Sequence, residues 1–444
     1  MLLVLATPAY AIEADVPNVF TPRTVTRSAD VNENFESLED SINREERFYV
    51  VEYAAANPSS ATGGIREALT ACGAAGGGVV VLPVGLITIN ATGLTSPIIP
   101  LPTVDSGAHP IAVCELVGYG DANNVFNPDE LTAASVVRVT NSSSMTATSS
   151  LKVGIHMAGL SAKIRTFSFM MDDTDTATRG VLIASAPYGS EALGEHGING
   201  WVIDDVTIKG DGMGGPGIGV QLMASLKGNL RGGEIGRWDT ALFVGAPTVG
   251  VITSNGNHIQ GASLRDSDIG LELDGAFSCT DIAISGSTIE NNTIGMRINS
   301  GSNCKVRDMG SHWEALGPGV QADRRQIQID ATNASYIGFG PRFSSALDAG
   351  NDIVRSAAQG TEANQSDVIY GGYIRHGANY SAGNLRIVDA RIAGTATFTG
   401  NVTMQNDDCL IMRDSDGAGA TACETLNGAW DCEVTTNLVC GDGS

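Results

Sequence analysis

The sequence is poor in lysine and has no long apolar run after its first residues. Only five of its 26 basic residues are lysine, and 49 acidic residues give a formal net charge of −23 at pH 7. Such a field repels nucleic acid and anionic membranes, so neither is expected as a partner. No later stretch approaches the roughly 18 uninterrupted apolar residues of a membrane-spanning helix.

Aromatic residues are also scarce, at 5%, whereas glycine is abundant at 55 residues. Asparagine, serine and threonine recur along the whole chain. Helical bundles would contain more leucine, glutamate and lysine. A solenoid uses residues in this way because its many tight corners need small or turn-forming side chains.

The first residues are typical of a protein that leaves the cytoplasm. Residues 1–11 are apolar and end in Ala9-Tyr10-Ala11, a small-x-small cleavage pattern, although the usual positive charge is missing. The alternative is a buried N-terminal strand. In residues 28–42, Val31, Phe35, Leu38 and Ile42 form one apolar stripe, which predicts a short helix. That helix either docks on its own domain or joins subunits, for instance as a trimer.

The eight cysteines are an even number, which fits an oxidising, extracellular location. Cys279 and Cys304 lie 25 residues apart, about one turn of a solenoid. Cys423 and Cys432 flank the hairpin signal Asn427-Gly428 and should face each other across it. These spacings predict two disulfides. A third bridge would then join Cys409 to Cys440, and elimination leaves Cys72 and Cys114 as the fourth pair. No C-x-x-C spacing supports a metal site.

A four-residue unit, small-apolar-any-apolar, recurs through the middle of the chain. Copies begin at residues 219, 241, 270, 295 and 319, so the spacing is 22 to 29 residues. A period of this size with strand patterns predicts a stacked parallel solenoid. Equivalent residues of successive turns would then lie about 4.8 Å apart. Leu264, Ile289 and Trp313 should therefore form one interior stack.

Residues 63–90 contain a helix stopped by glycines, a strand at residues 79–82, a Pro83-Val84-Gly85 turn and a second strand. This segment resembles the N-terminal cap of the pectate-lyase-like superfamily. The resemblance implies an all-β, right-handed single-stranded parallel β-helix. Relatives in that superfamily include polysaccharide lyases, glycosidases and phage tail-spike depolymerases.

The predicted organisation combines this β-helix with a short N-terminal helix and a small disulfide-stapled β unit at the C-terminus. The expected segments are a signal peptide (1–11), a lead-in (12–47), the β-helix (48–384, with its cap at 63–90), a β-rich stem (385–404) and a cysteine-rich unit (405–444).

Stacking also predicts an outward column of charged residues. The residues that follow the interior stack are Arg265, Glu290 and Glu314, and the next position aligns Asp266 with Asn291. Two carboxyl groups about 5–5.5 Å apart suit a retaining glycosidase, and a wider pair suits an inverting one. Arg265 would keep Glu290 ionised as nucleophile or base.

Glu314, beside Trp313 and His312, would be the general acid of this pair. Asp266 is the third candidate catalytic carboxylate, and Arg265, Asn291, His312 and Trp313 are the candidate substrate-binding residues. The alternative interpretation is a structural salt bridge and asparagine ladder along a solvated face. The acidic pairs Asp172-Asp173 and Asp204-Asp205 are more typical of turns or strand ends.

These patterns predict a secreted protein that binds an extracellular polysaccharide and, if it is an enzyme, cleaves it as a lyase or glycoside hydrolase. The linear motifs of polygalacturonases and calcium-dependent lyases are not recognisable, so enzymatic activity stays open. The alternatives are a non-catalytic adhesin or appendage protein, and a tail-spike-like depolymerase. No cofactor is expected; Asp414-Ser415-Asp416-Gly417 only hints at a Ca²⁺ loop, because no closing glutamate follows it.

Overall fold

The computed structural model describes residues 46–371 with gaps at 106–109, 121–133, 149, 173–174, 185–197, 213–214, 224, 246–253, 275–278, 280, 301, 303, 315–323, 345–351, 357–366. Beyond residue 371 it describes strands alone. The predicted signal peptide, the predicted helix in residues 28–42, Cys440 and the loop at Asp414 lie outside the described residues.

From Gly78–Val81 onward, the chain winds through three parallel sheets, here called sheets 1, 2 and 3, in the same order from turn to turn. One turn passes from Ile282–Ser285 in sheet 1 to Thr288–Glu290 in sheet 2 and Ile294–Ile298 in sheet 3. The next turn returns to sheet 1 at Lys305–Met309, which pairs in parallel with Ile282–Ser285. The expected all-β parallel β-helix is confirmed, because each turn is one rung of three stacked sheets.

The strands of each sheet follow in chain order. Sheet 1 has 13 strands: Arg47–Tyr49, Gly78–Val81, Cys114–Val117, Lys163–Arg165, Val202–Asp204, Asn229–Arg231, Asn257–Gln260, Ile282–Ser285, Lys305–Met309, Ser335–Phe339, Asp367–Tyr370, Leu385–Val388 and Val402–Thr403. Sheet 2 has 11: Gly85–Asn90, Ser135–Thr140, Ser168–Met171, Thr207–Lys209, Glu234–Gly236, Ser263–Arg265, Thr288–Glu290, His312–Glu314, Arg342–Phe343, Tyr373–Ile374 and Arg391–Ile392. Sheet 3 also has 11: Ile99–Pro100, Lys152–Met157, Thr178–Ile183, Ile218–Leu222, Thr240–Val244, Ile269–Leu273, Ile294–Ile298, Arg325–Ile329, Ile353–Arg355, Ala378–Tyr380 and Thr397–Phe398.

Three smaller pairings complete the strands. Ile198–Asn199 pairs in parallel with Ser225–Leu226, and Thr103–Asp105 pairs antiparallel with Pro110–Ala112. Near the C-terminus, Cys409–Arg413, Ala420–Leu426 and Ala429–Thr435 form an antiparallel sheet. The three long sheets continue through residues 385–403, the segment predicted as a stem.

Two helices stand at the start of the described chain, α1 at Val50–Ala56 and α2 at Ile65–Ala74, and a short 3-10 helix spans Ser142–Ser144. In α2 the buried residues Ile65, Ala68, Leu69 and Cys72 are three and four positions apart, so one face packs on the first turns of the solenoid. The predicted bridge between Cys72 and Cys114 is confirmed and ties α2 to sheet 1.

The predicted interior stack is also confirmed. Leu264 pairs with Ile289, Ile289 pairs with Trp313, and Trp313 pairs with Phe343, and all four side chains are fully buried. The disulfide between Cys279 and Cys304 links neighbouring turns, as their spacing predicted. The core is thus a column of apolar side chains enclosed by the three sheets.

A polar ladder holds the corner between sheets 2 and 3. Ser267 Oγ accepts a hydrogen bond from the Trp238 backbone N–H at 3.2 Å, and Asn292 Oδ1 accepts one from the Ser267 N–H at 3.0 Å. Asn292 Nδ2 also donates to the Leu264 carbonyl at 2.9 Å. Side chains inside the corner therefore satisfy backbone groups that the sheets leave unpaired.

One predicted repeat was wrong. The unit at residues 319–322 was expected to stack on residues 295–298, but Arg325–Ile329 occupies that position, with Ile327 opposite Met296. The turn before it carries more residues than the repeat allows, and the alternating pattern at residues 327–329 fills the interior equally well. Insertions at the corners of a solenoid shift the period without changing the stacked strands.

The C-terminal hairpin has the predicted register. Cys423 lies opposite Cys432, and Leu426 lies opposite Ala429 across the two-residue turn. The disulfides proposed for Cys423, Cys432, Cys409 and Cys440 involve side chains outside the described residues.

Candidate functional site

The candidate site lies on the outer face of sheet 2. Residues two positions apart in a strand point to the same face, so one outward column is set by the positions next to the interior stack. Strand pairing aligns this column over seven successive turns: Arg138, Met170, Lys209, Gly236, Arg265, Glu290 and Glu314. The register that the sequence predicted for Arg265, Glu290 and Glu314 is therefore present.

Arg265 links the acidic end of this column. Its guanidinium Nη1 lies 3.3 Å from Glu290 Oε1, and its Nε lies 3.1 Å from Asp266 Oδ2. Although partial burial opposes the charge, the carboxylates of Asp266, Glu234 and Glu290 raise the pKa of Arg265. The arginine therefore stays cationic and holds Glu290 beside Glu314, its paired neighbour on the next strand.

Asp266 and Asn291 occupy the turn that leaves sheet 2. Both have left-handed backbone conformations, with φ of 55° and 60°, which asparagine and aspartate tolerate better than most residues. Asn291 Nδ2 donates to Asp266 Oδ1 at 2.8 Å, and Asp266 is buried. Since Arg265 and Asn291 each engage one of its carboxylate oxygens, Asp266 holds the turn and orients Arg265.

Trp313 has no exposed surface at this face, so its predicted role in direct substrate contact is wrong. Its side chain is fully buried, because strand alternation turns it inward while Glu314 turns outward. Its indole Nε1 donates to Asp308 Oδ2 at 2.8 Å, and its ring stacks on Phe343 at 6.2 Å between centroids. Trp313 therefore supports the strand of Glu314 from inside.

His312 occupies the second outward column of sheet 2, beside the charged one. Its ring Nε2 forms a hydrogen bond with Ser344 Oγ, and its strand neighbours are Thr288 and Arg342. The side chain is half-buried, so part of the imidazole faces solvent next to Glu314. The substrate-binding role of His312 stays a prediction.

Asp239, Asp268 and Glu272 form another carboxyl cluster, which was not predicted from the sequence. Partial burial, together with the charges of Asp268 and Glu272, raises the pKa of Asp239 to about 6. Thr240 Oγ1 and Asn299 Nδ2 donate to the carboxylate of Glu272, at 3.1 and 2.9 Å. The repeat could have revealed the pair, because Asp239 and Asp268 both stand two residues before a repeat unit. The effect of Asp268 on the pKa of Asp239 could not be predicted from the repeat, because it depends on the distance between the two side chains.

The residues that the structure describes contain neither a metal-binding cluster nor a membrane-spanning helix. Within those ranges, no group of three or more histidines, cysteines, aspartates or glutamates is arranged to hold a metal ion. Among the helices of the described chain, none combines the length and apolar character needed to cross a membrane.

Comparisons with known proteins return solved structures. The chain is similar to the mannuronan C-5 epimerase AlgE6 A-module of Azotobacter vinelandii (14% identity, TM-score 0.43, 83% of this chain and 99% of that one). It is also similar to an alginate lyase from Paenibacillus sp. str. FPU-7 (12% identity, TM-score 0.40, 76% of this chain and 97% of that one). A third similar structure is DFA-IIIase from Arthrobacter chlorophenolicus A6 (13% identity, TM-score 0.45, 83% of this chain and 86% of that one). No protein-family model matches the chain, and no curated protein does either.

Proposed function

We propose that this protein binds an extracellular polysaccharide along sheet 2 and cleaves it with Glu290 and Glu314. The observation that carries the proposal is the pairing of these two glutamates on adjacent strands of one outward column, with Arg265 ion-paired to the first. A column of stacked parallel strands suits an extended chain, because both repeat along one axis.

The chemistry follows from the different surroundings of the two carboxyl groups. Glu290 is ion-paired with the Arg265 guanidinium, and we assign it the role of nucleophile or base. Glu314 lies one strand further from that charge and is the partner that would donate a proton to the leaving oxygen. The proposal is supported by the backbone spacing of paired strand positions, about 4.8 Å, which is similar to the carboxyl separation of about 5–5.5 Å in retaining enzymes.

Export from the cytoplasm belongs to the same proposal. The disulfides between Cys72 and Cys114 and between Cys279 and Cys304 form and persist in oxidising compartments. The net charge of −23 favours a neutral or weakly charged glycan over a polyanion.

The test is incubation with a panel of soluble polysaccharides, followed by measurement of reducing ends and of the absorbance of unsaturated products. Glu290→Gln and Glu314→Gln should each lower the rate by about 10²–10⁴-fold, the usual contribution of acid–base catalysis. Glu115→Gln is the matched control, because Glu115 is also ion-paired to an arginine, Arg165, but on sheet 1. Cleavage that survives both substitutions would eliminate this site.

A non-catalytic adhesin or appendage role is the second candidate. The turn formed by Asp266 and Asn291 favours it, because these side chains bond to each other as a structural ladder does. Retention of a polysaccharide without any product from the wild-type protein would support this role and reject catalysis.

A further inference from the structure

A cleft lies at the other end of this outward column, where Arg138 and Met170 stand, and extends over the turns from sheet 2 to sheet 3. Its volume is about 250 Å³, and the side chains of four successive turns line it. The lining residues that matter for binding are Arg138, Thr140, Met170, Asp172, Asp211 and Arg237. Drug-sized pockets measure about 300–1,000 Å³, so this cleft suits a group about the size of one sugar residue.

The lining is balanced in charge. Two guanidinium groups donate hydrogen bonds, two carboxylates accept them, and their formal charges cancel. A neutral sugar offers hydroxyls that both accept and donate, and Met170 offers apolar surface to its C–H groups. An anion would meet Asp172 and Asp211 on a strongly acidic protein, and a cation would meet Arg138 and Arg237.

One of the two acidic groups of the cleft, Asp172, is held in place before any ligand arrives. The carboxylate of Asp172 accepts a hydrogen bond from the backbone N–H of Asn141, and Ser142 Oγ donates to the Asp172 carbonyl oxygen. Arg138 and Met170 occupy directly paired positions on adjacent strands. Groups fixed on strand ends in this way lose little freedom on binding, which favours recognition.

The cleft and the glutamates share one column. Met170 is four strands from Glu290, about 19 Å at the usual strand spacing. The geometry points to a neutral-sugar subsite in this cleft, which binds a distal residue of the same glycan that reaches Glu290 and Glu314. This inference rests on the proposed function.

The experiment is affinity electrophoresis in native gels containing a β-glucan, a galactomannan, an arabinogalactan or, as the anionic probe, alginate. Glu290→Gln is the parent, so that the polymer stays intact. Arg138→Gln and Asp211→Asn should each weaken retention about tenfold, because each removes a charged hydrogen-bonding group. Arg231→Gln is the matched control, since Arg231 is an exposed arginine on sheet 1, and it should retain parental affinity. Circular dichroism checks that every variant is folded.

The outcomes separate this inference from the proposed function. Parental retention in both cleft variants overturns the subsite, even if Glu290→Gln abolishes cleavage. Weakened retention in both variants supports the subsite, even if the wild-type protein cleaves nothing. Retention by alginate and by none of the neutral polymers overturns the assignment to a neutral sugar.

Discussion

The fully buried ion pair between Arg355 and Asp367 gives the sharpest prediction about stability. Arg355 Nε lies 2.7 Å from Asp367 Oδ2, both side chains are completely shielded from solvent, and Nη2 lies 3.2 Å from Oδ1. The other Arg355 N–H groups donate to the carbonyls of Ala331 and Ala334, at 3.0 and 2.7 Å. Asp367 Oδ1 also accepts the Tyr336 backbone N–H at 2.9 Å.

Removing one partner should leave an uncompensated charge in the core. Arg355→Met leaves the buried carboxylate of Asp367 without its cation while the Tyr336 N–H still donates to it, and breaking such a pair costs about 3–5 kcal/mol. Asp367→Leu strands the guanidinium and also orphans that N–H, so it belongs at the upper end of the range. The double variant removes both charges and should cost less than the two single losses together, by about 2 kcal/mol or more.

Urea unfolding followed by far-UV circular dichroism measures these free energies. Arg307→Met is the matched control, because Arg307 pairs with Asp281 on the surface, where the side chains are 51% and 44% exposed. An exposed pair of this kind contributes about 0–1 kcal/mol. A loss below about 1 kcal/mol for Arg355→Met, or additive losses in the double variant, would refute the reasoning.

Two further predictions follow from single side chains. Asp239 has a folded pKa near 6 against an ordinary value of 3.8, so protonation stabilises the fold and stability falls as the pH rises between these values. After allowance for solvent screening, Asp239→Asn should raise the free energy of unfolding by about 1 kcal/mol above pH 7 and by almost nothing near pH 4. Urea titrations at the two pH values measure this difference, and an equal increase at both would contradict the prediction. A Cβ on Gly228 would lie 1.8 Å from Trp201, which is buried, so Gly228→Ala should cost at least about 1–3 kcal/mol, whereas Gly212→Ala, in open space, should melt like wild type.

The register of the candidate site could be predicted because a parallel solenoid turns sequence period into spatial neighbourhood. Arg265, Glu290 and Glu314 are 25 and 24 residues apart, and strand pairing places them side by side. Their face was also predictable, since each follows an interior residue in a strand that alternates in and out. Their roles in binding and cleavage stay predictions.

The direction of Trp313 was implied by the same alternation, yet it was assigned both to the interior stack and to the substrate. The structure allows only the first, because the ring is enclosed by Phe343 and Asp308. The unit at residues 319–322 failed for a related reason. A local pattern carries no information on how many residues a corner absorbs, and only closure of the stacked turn selects Arg325–Ile329.

By itself, the sequence determined the parallel β-helix, the cap helix and the bridge between Cys279 and Cys304, because repeated local patterns and cysteine spacing encode them directly. The bridge between Cys72 and Cys114 followed from the sequence only by elimination. Only the tertiary structure decided the rest. The cleft at Asp172 and Asp211 gathers residues from four turns, the raised pKa of Asp239 depends on burial beside two other acids, and the pair of Arg355 and Asp367 exists because the core excludes water from both. Cavity shape, burial and charge coupling depend on distances between turns, which a linear pattern does not contain.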